Sequence, residues 1–383
     1  MKLILLILSA IVILGSSLFY IGRPHPHREF GTSVIDALSG NGLTGGFARA
    51  TKSRRFNFPY DAGPHDEFQT EWWYYTGNLN DDNGRPFGFQ LTFFRRALTP
   101  DKKSRKSAWA ANQIYFAHFA VSDIRNRAFF PSERWSRGAI GLAGADARPF
   151  RVWVEEWSAA TEGQTVRLQA KNDSAAMDLR LAPTKPVVLH GNRGLSQKST
   201  EPGNASYYYS QTRLHTSGTI TIKDRSFRVQ GFSWLDREWS TSSLSEEQSG
   251  WDWFSLQLSD NREIMLYQIR LKEGGIDPYS SGSLIERDGS VHNLAVDDFK
   301  IEVLDRWKSS ITDIIYPSRW RITIPRYGIA LTVVPHQTNQ ELPLTFVYWE
   351  GSVEVKGDNV SGNGYVELTG YNRSRESELG LQE

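Results

Sequence analysis

The chain of 383 residues contains no cysteine. That excludes a disulfide framework, a thiolate metal site and the lipid-modified cysteine of a bacterial lipoprotein. It also lacks net charge, with 44 basic against 43 acidic residues. A general nucleic-acid footprint is therefore excluded. There is no G-x-S-x-G elbow, P-loop, H-E-x-x-H or dinucleotide fingerprint. A Ser-His-Asp triad would have to be assembled from distant residues. The sequence requires no cofactor and marks no metal site. Long helical periodicities are scarce as well.

What is abundant is aromatic: 13 Trp, 15 Tyr and 20 Phe. Such side chains suit pleated, half-buried surfaces and apolar cavities. One long apolar run exists, at the start. After Lys2, residues 3–21 carry no charge. The run reads as a signal peptide with an apolar stretch over 3–14, cleaved near 15–17, or as an uncleaved membrane anchor, because apolar residues resume at Leu18. Either way, residues 1–22 predict export. Residues 23–65, with RPHPHREF and GNGLTGGFARATKSRRF, read as linker and entry segment. His25 and His27 there are solvated spacer rather than metal ligands.

From Glu67 onward short β-rich segments dominate: EWWYYTGNLN, FGFQLTFFRRAL, QIYFAHFAVSD, RVWVEEWSA and QTVRLQAKN, bounded by turns such as DDNG. A Ser/Glu-rich gap, TSSLSEEQSG, precedes a second set beginning WDWFSLQLSDNREIMLYQIR. Residues 72–79 and 251–258 share a spacing, and each is followed by an apolar strand ending in arginine, Arg95 and Arg270. A duplicated β-unit accounts for this. The expected organisation is all-β: domains over 66–243 and 250–372, then a polar tail over 373–383. Meanders of this spacing build barrels or sandwiches, and an eight-stranded barrel can hold a small ligand in its mouth.

The stretch GFSWLDREWS frames Asp236, Arg237 and Glu238 with Trp234 and Trp239. In a strand alternate side chains share a face, so Phe232, Trp234, Asp236 and Glu238 point one way and Ser233, Leu235, Arg237 and Trp239 the other. The two carboxylates then sit about 7 Å apart along one face. Beside Trp234 a carboxyl group is partly desolvated, its pKa rises, and it becomes a proton donor. The alternative is structural, with the acids paired to arginines such as Arg95. In EWWYYTGNL, Glu71, Trp73 and Tyr75 share one face, and Trp72 and Tyr74 the other. They read either as walls of a cavity for an apolar ligand or as sheet packing. His118 alternates with Phe116 and Ala120 on an apolar face; His65 is a candidate acid–base group at a rim.

Together EWWYYTGNL, FGFQLTFFR, YFAHFAVSD, GFSWLDREWS and GNGYVELTGY resemble the AttH and carotenoid hydratase (hydroxyneurosporene synthase, CrtC) family, from about residue 65 to 371. The resemblance implies two lipocalin-like antiparallel β-barrels packed together, preceded here by the N-terminal hydrophobic helix. It also implies an exported, periplasmic or membrane-associated protein, described in the family as a predicted secreted hydrolase or as part of an ABC export system. The carotenoid branch adds water to a terminal C=C bond without a redox cofactor. By that likeness Asp236 in Trp-Leu-Asp inherits the role of proton donor, with Glu238, Glu71 and His118 as helpers. Trp72, Trp73, Tyr74, Tyr75, Trp234, Trp239, Trp251 and Trp253 would surround a lipophilic ligand. Arg-Glu-Trp after the aspartate is the AttH-like form. Two functions follow: an exported binder of a lipophilic molecule beside a transporter, or a cofactor-free hydratase or hydrolase using Asp236.

Overall fold

The structure, a computed structural model, describes residues 45–373 apart from 101–106, 108 and 243. The leader expected over residues 1–22, most of the linker, and the tail beyond residue 373 lie outside the described residues. Among those described, no helix is long and apolar enough to cross a membrane.

The fold is all-β. Thirteen strands between Thr70 and Ser240 form one antiparallel sheet, and ten between Gln248 and Leu368 form a second. The first sheet begins as a meander of Thr70–Asp81, Pro86–Ala97, Gln113–Asp123 and Ala128–Arg137. Its long late strands, Ala205–Ile222 and Arg225–Ser240, return to pair beside the first strand. This sheet curls until Ala128–Arg137 approaches Phe150–Val154 near its other end, making a near-barrel. The second sheet curls into a half-barrel, so the all-β pair of curled antiparallel sheets expected from sequence is present.

Period-two alternation explains how the halves meet. Trp73, Tyr75 and Leu79 point into the near-barrel with Phe87, Phe89 and Leu91 and fill its interior. Their neighbour Tyr74 points outward to pack with Trp253, Tyr267 and Tyr365 of the second sheet, and Trp72 packs against that same cluster. The first strands are therefore buried on both faces, which is why Pro86–Ala97 reads as an almost unbroken apolar run. Polar ties stitch the sheets together: Asn78 Nδ2 donates to Gly364 O at 3.0 Å, Ser352 Oγ to Asn78 Oδ1 at 2.6 Å.

The repeated hairpins occupy equivalent places, one in each sheet: Thr70–Asp81 with Pro86–Ala97, and Gln248–Leu258 with Glu263–Leu271. In each, the terminal arginine bonds an acid across the hairpin, Arg95 to Glu71 and Arg270 to Asp252.

Candidate active site

Between the sheets lies a cleft with about 770 Å³ of empty space, counting its open mouth. It lies outside the near-barrel, whose interior holds the buried cluster of Trp73, Tyr75, Phe87 and Phe89. Trp72, Tyr74, Trp251 and Trp253 wall it, so the repeated hairpins face each other across it. Tyr74 and Trp253 meet edge to face at 5.1 Å.

Asp236 and Glu238 both open into this cleft, as the strand alternation predicts. Asp236 is 4% exposed and holds three donors. Trp234 Nε1 donates to Oδ1 at 2.6 Å, Ser210 Oγ also donates to Oδ1, and Tyr208 Oη donates to Oδ2 at 2.5 Å. Tyr208 Oη itself accepts from Trp253 Nε1 at 3.1 Å. Burial pushes the carboxyl up to about 7 against those donors, and the Glu238 charge adds to the rise. At neutral pH the group is thus poised between acid and carboxylate.

Glu238 Oε1 lies 3.5 Å from Lys198 Nζ, which sits 3.8 Å over the Tyr267 ring. Burial works against the ammonium, but Glu238 and Tyr267 outweigh it and raise its pKa.

The opposite wall supplies two more acids. Glu350 and Glu367 face each other in register on Val347–Gly357 and Ser361–Leu368. Burial raises both; the Glu367 charge adds to the rise of Glu350, and the Asp236 and Glu238 charges add to that of Glu367, which reaches about 8. Neither Glu350 oxygen completes a hydrogen bond of good geometry, although Tyr74 and Tyr348 lie close enough to oppose part of that rise.

The other sequence candidates stand outside the cleft. Glu71 lies on the opposite face of its strand, wholly buried. It accepts from Arg95 and Arg237 and from the His65 backbone N–H at 3.0 Å. Burial would raise its pKa, but the two guanidinium groups hold it well below the carboxylate range. Arg95, weighed from sequence as a partner for Asp236 and Glu238, pairs with Glu71 instead. Trp73 and Tyr75 belong to the near-barrel core, and the Arg237 guanidinium lies 3.9 Å over the Trp73 ring. Trp239 stacks on His65 at 3.7 Å on that same far side. His65 is buried against Asp61 and Glu71 rather than placed at a rim. Trp234 does not line the cleft but stands behind its wall, bonded to Asp236 and packed edge to face on Trp253 at 6.4 Å. His118 is buried, with its pKa pushed by desolvation to about 4. It touches the site indirectly: its Nδ1 lies 2.7 Å from Tyr348 Oη, and Tyr348 lines the cleft.

Sequence reasoning missed Lys198, Tyr208, Tyr267, Tyr348, Glu350 and Glu367. Two signals were present. Glu350 follows two aromatics in YWE, and Glu367 lies in the quoted GNGYVELTGY. Nothing local marks Lys198.

The arrangement is a proton-rich apolar cleft, with carboxyl groups of raised pKa facing each other between aromatic walls. Such a site can protonate an alkene carbon or a departing hydroxyl. Among the described residues no group of three or more His, Asp or Glu is placed to hold a metal ion.

A family model described as AttH-like matches residues 49–371. The solved structure of an AttH from Nitrosomonas europaea is 32% identical, with a TM-score of 0.76, covering 85% of this chain and 100% of that one. Kievitone hydratase from Nectria haematococca shares the fold at 14% identity and a TM-score of 0.63, covering 84% of this chain and 97% of its own. Among curated relatives, kievitone hydratase of Fusarium solani subsp. phaseoli is 23% identical over 216 residues, 53% of this chain and 59% of that protein. Dehydratase asqC of Emericella nidulans is 21% identical over 224 residues, 53% of this chain and 61% of its own. Each alignment spans about three-fifths of the fungal protein's length.

Proposed function

The chain belongs to the AttH-like family, and from that membership we propose that it is a hydro-lyase, adding water to or removing it from an apolar unsaturated molecule, with Asp236 as general acid. The observation that carries this is Asp236 itself: buried, triply hydrogen-bonded, near neutrality and open to an aromatic cleft. In the hydration direction its proton passes to one alkene carbon, the π pair forming the new C–H bond. The cation left on the neighbouring carbon faces Trp72, Tyr74 and Trp251, whose π faces stabilise it. A water oxygen closes on that carbon, and its surplus proton returns to the Asp236 carboxylate. Dehydration is the same path reversed. Relatives that carry the words hydratase and dehydratase support this class of reaction.

The second reading, a carrier of a lipophilic molecule beside an export system, is favoured by the aromatic walls alone. It leaves the proton-holding acids without a task. Export of the chain belongs to both readings and rests on residues 1–22; fractionation of cells expressing the full chain tests it.

The function is tested by incubating full-length protein with an apolar lipid extract in ¹⁸O-labelled water, followed by mass spectrometry. The expected product is heavier by one labelled water, and Asp236→Asn lowers its yield by roughly 10²–10⁴-fold. A ligand retained unchanged by both proteins makes this a carrier.

A further inference from the structure

Behind Asp236, away from the cleft, runs a chain of three hydrogen bonds. Ser210 Oγ donates to Asp236 Oδ1. His190 Nε2 lies 2.6 Å from Ser210 Oγ, and His190 Nδ1 lies 2.9 Å from Ser283 Oγ. Ser210, His190 and Ser283 are all buried, and none of them lines the cleft. The hydroxyl stands in the middle, between aspartate and histidine. A nucleophilic triad needs the histidine there, so this is not hydrolase machinery.

We propose that His190 is a positioning residue for the acid: as its Nε2–H tautomer it donates to Ser210, commits the Ser210 hydrogen to Oδ1, and so confines the acidic proton of Asp236 to Oδ2. This rests on the reading of Asp236 as the acid.

Ser210 has one hydroxyl hydrogen. When its oxygen accepts from Nε2–H, that hydrogen goes to Asp236 Oδ1. Trp234 Nε1, which can only donate, takes the other lone pair of Oδ1. Oδ1 then has no room for a proton. Oδ2 accepts from Tyr208 alone and keeps a free lone pair. The partners also differ in place. Tyr208, with Trp253 beyond it, lines the cleft, whereas Ser210 and Trp234 do not. The proton therefore sits on the oxygen whose donor, Tyr208, lines the cleft. When it moves to a substrate carbon, both carboxylate oxygens already hold their donors, and no group has to rotate.

With the proton on Nε2, Nδ1 is left to accept from the Ser283 hydroxyl. The ring also stays neutral: desolvation, with help from the Lys198 charge, pushes its pKa down to about 3. The titratable groups around His190 are Lys198 and Tyr208. Those around Asp236 are Tyr208, Glu238 and Glu367.

The test is ¹⁵N NMR of full-length protein labelled at histidine, with the His190 signals assigned by their loss in His190→Gln. The expected state is a protonated Nε2 and a bare Nδ1 from about pH 5 to about pH 9. A protonated Nδ1, or a tautomer that switches as Asp236 titrates, overturns the proposal. Ser210→Ala is the second arm. With the Ser210 donor gone and only Trp234 left on Oδ1, one lone pair there is free and the proton spreads over both oxygens, so kcat falls about tenfold with KM unchanged, and the alkaline limb of the pH profile moves upward. Ser210→Thr restores both. A Ser210→Ala protein with the wild-type limb also overturns it. The NMR arm needs no substrate, so its outcome is separate from that of Asp236→Asn, which tests the acid itself.

Discussion

Asp236 and Arg237 are neighbours in one strand and stand in opposite surroundings. The first faces aromatic walls, and the lysine of that cleft, Lys198, pairs with Glu238. The second crosses to the far side, where Glu71 lies between it and Arg95 with no exposed surface. Removing Glu71 would strand two buried guanidinium groups. Glu71→Ala is therefore expected to cost about 3–5 kcal/mol in chemical denaturation; a loss under about 1 kcal/mol would show that the cluster is not the clamp described here. At Asp236 the same reasoning concerns rate. The acid works protonated, so activity should fall as pH rises through about 7, and a flat profile across that range would remove it from the reaction. At this scale the sequence was informative about faces: period-two alternation put Asp236 and Glu238 together and Arg237 apart. It was silent on the partners of Asp236, because Tyr208 and Ser210 are 28 and 26 residues away.

Those partners come from register between elements. In the pairing of Ala205–Ile222 with Arg225–Ser240, Ser210 lies opposite Asp236 and Tyr208 opposite Glu238. A slip of one residue would turn Tyr208 and Ser210 to the far face and leave the carboxyl bare. The run SYYYS hides this, since Tyr207 and Tyr209 pack on the other side with Trp239. The two hairpins were legible as a repeat because their aromatic spacing is preserved. That they oppose each other across a cleft was not, because sheet-on-sheet contacts leave no periodicity in the chain. One such contact is Gly88, where an added Cβ would meet the Ser352 Cβ at 2.6 Å. Gly88→Ala should push the sheets apart, at about 1–3 kcal/mol, with weaker binding of an apolar fluorophore in the cleft. Unchanged stability and binding would mean that the sheets have slack there.

The whole molecule holds two populations of buried acid with opposite pH behaviour. Asp236 and Glu367 have folded pKa values above their ordinary ones. Their contribution to stability is complete below the unfolded values and is lost as pH rises toward about 7 and about 8. Glu71 and Asp61 are shifted down, burial being outweighed by Arg95 and Arg237 for Glu71 and by His65 and Arg54 for Asp61. Their contribution is present above the unfolded values and lost as pH falls through the folded ones. Asp236→Asn should therefore flatten the decline in thermal stability between about pH 4 and about pH 7 while leaving the acid side unchanged. A decline as steep as the wild type's would place that loss elsewhere. The most direct measurement is the infrared spectrum of full-length protein minus that of Asp236→Asn, followed through this pH range. A protonated-carboxyl band assigned to Asp236 that fades near pH 7 is the predicted result. A difference spectrum showing only carboxylate, down to the ordinary aspartate range near pH 4, would contradict the claim that this cleft keeps a neutral acid ready to give its proton.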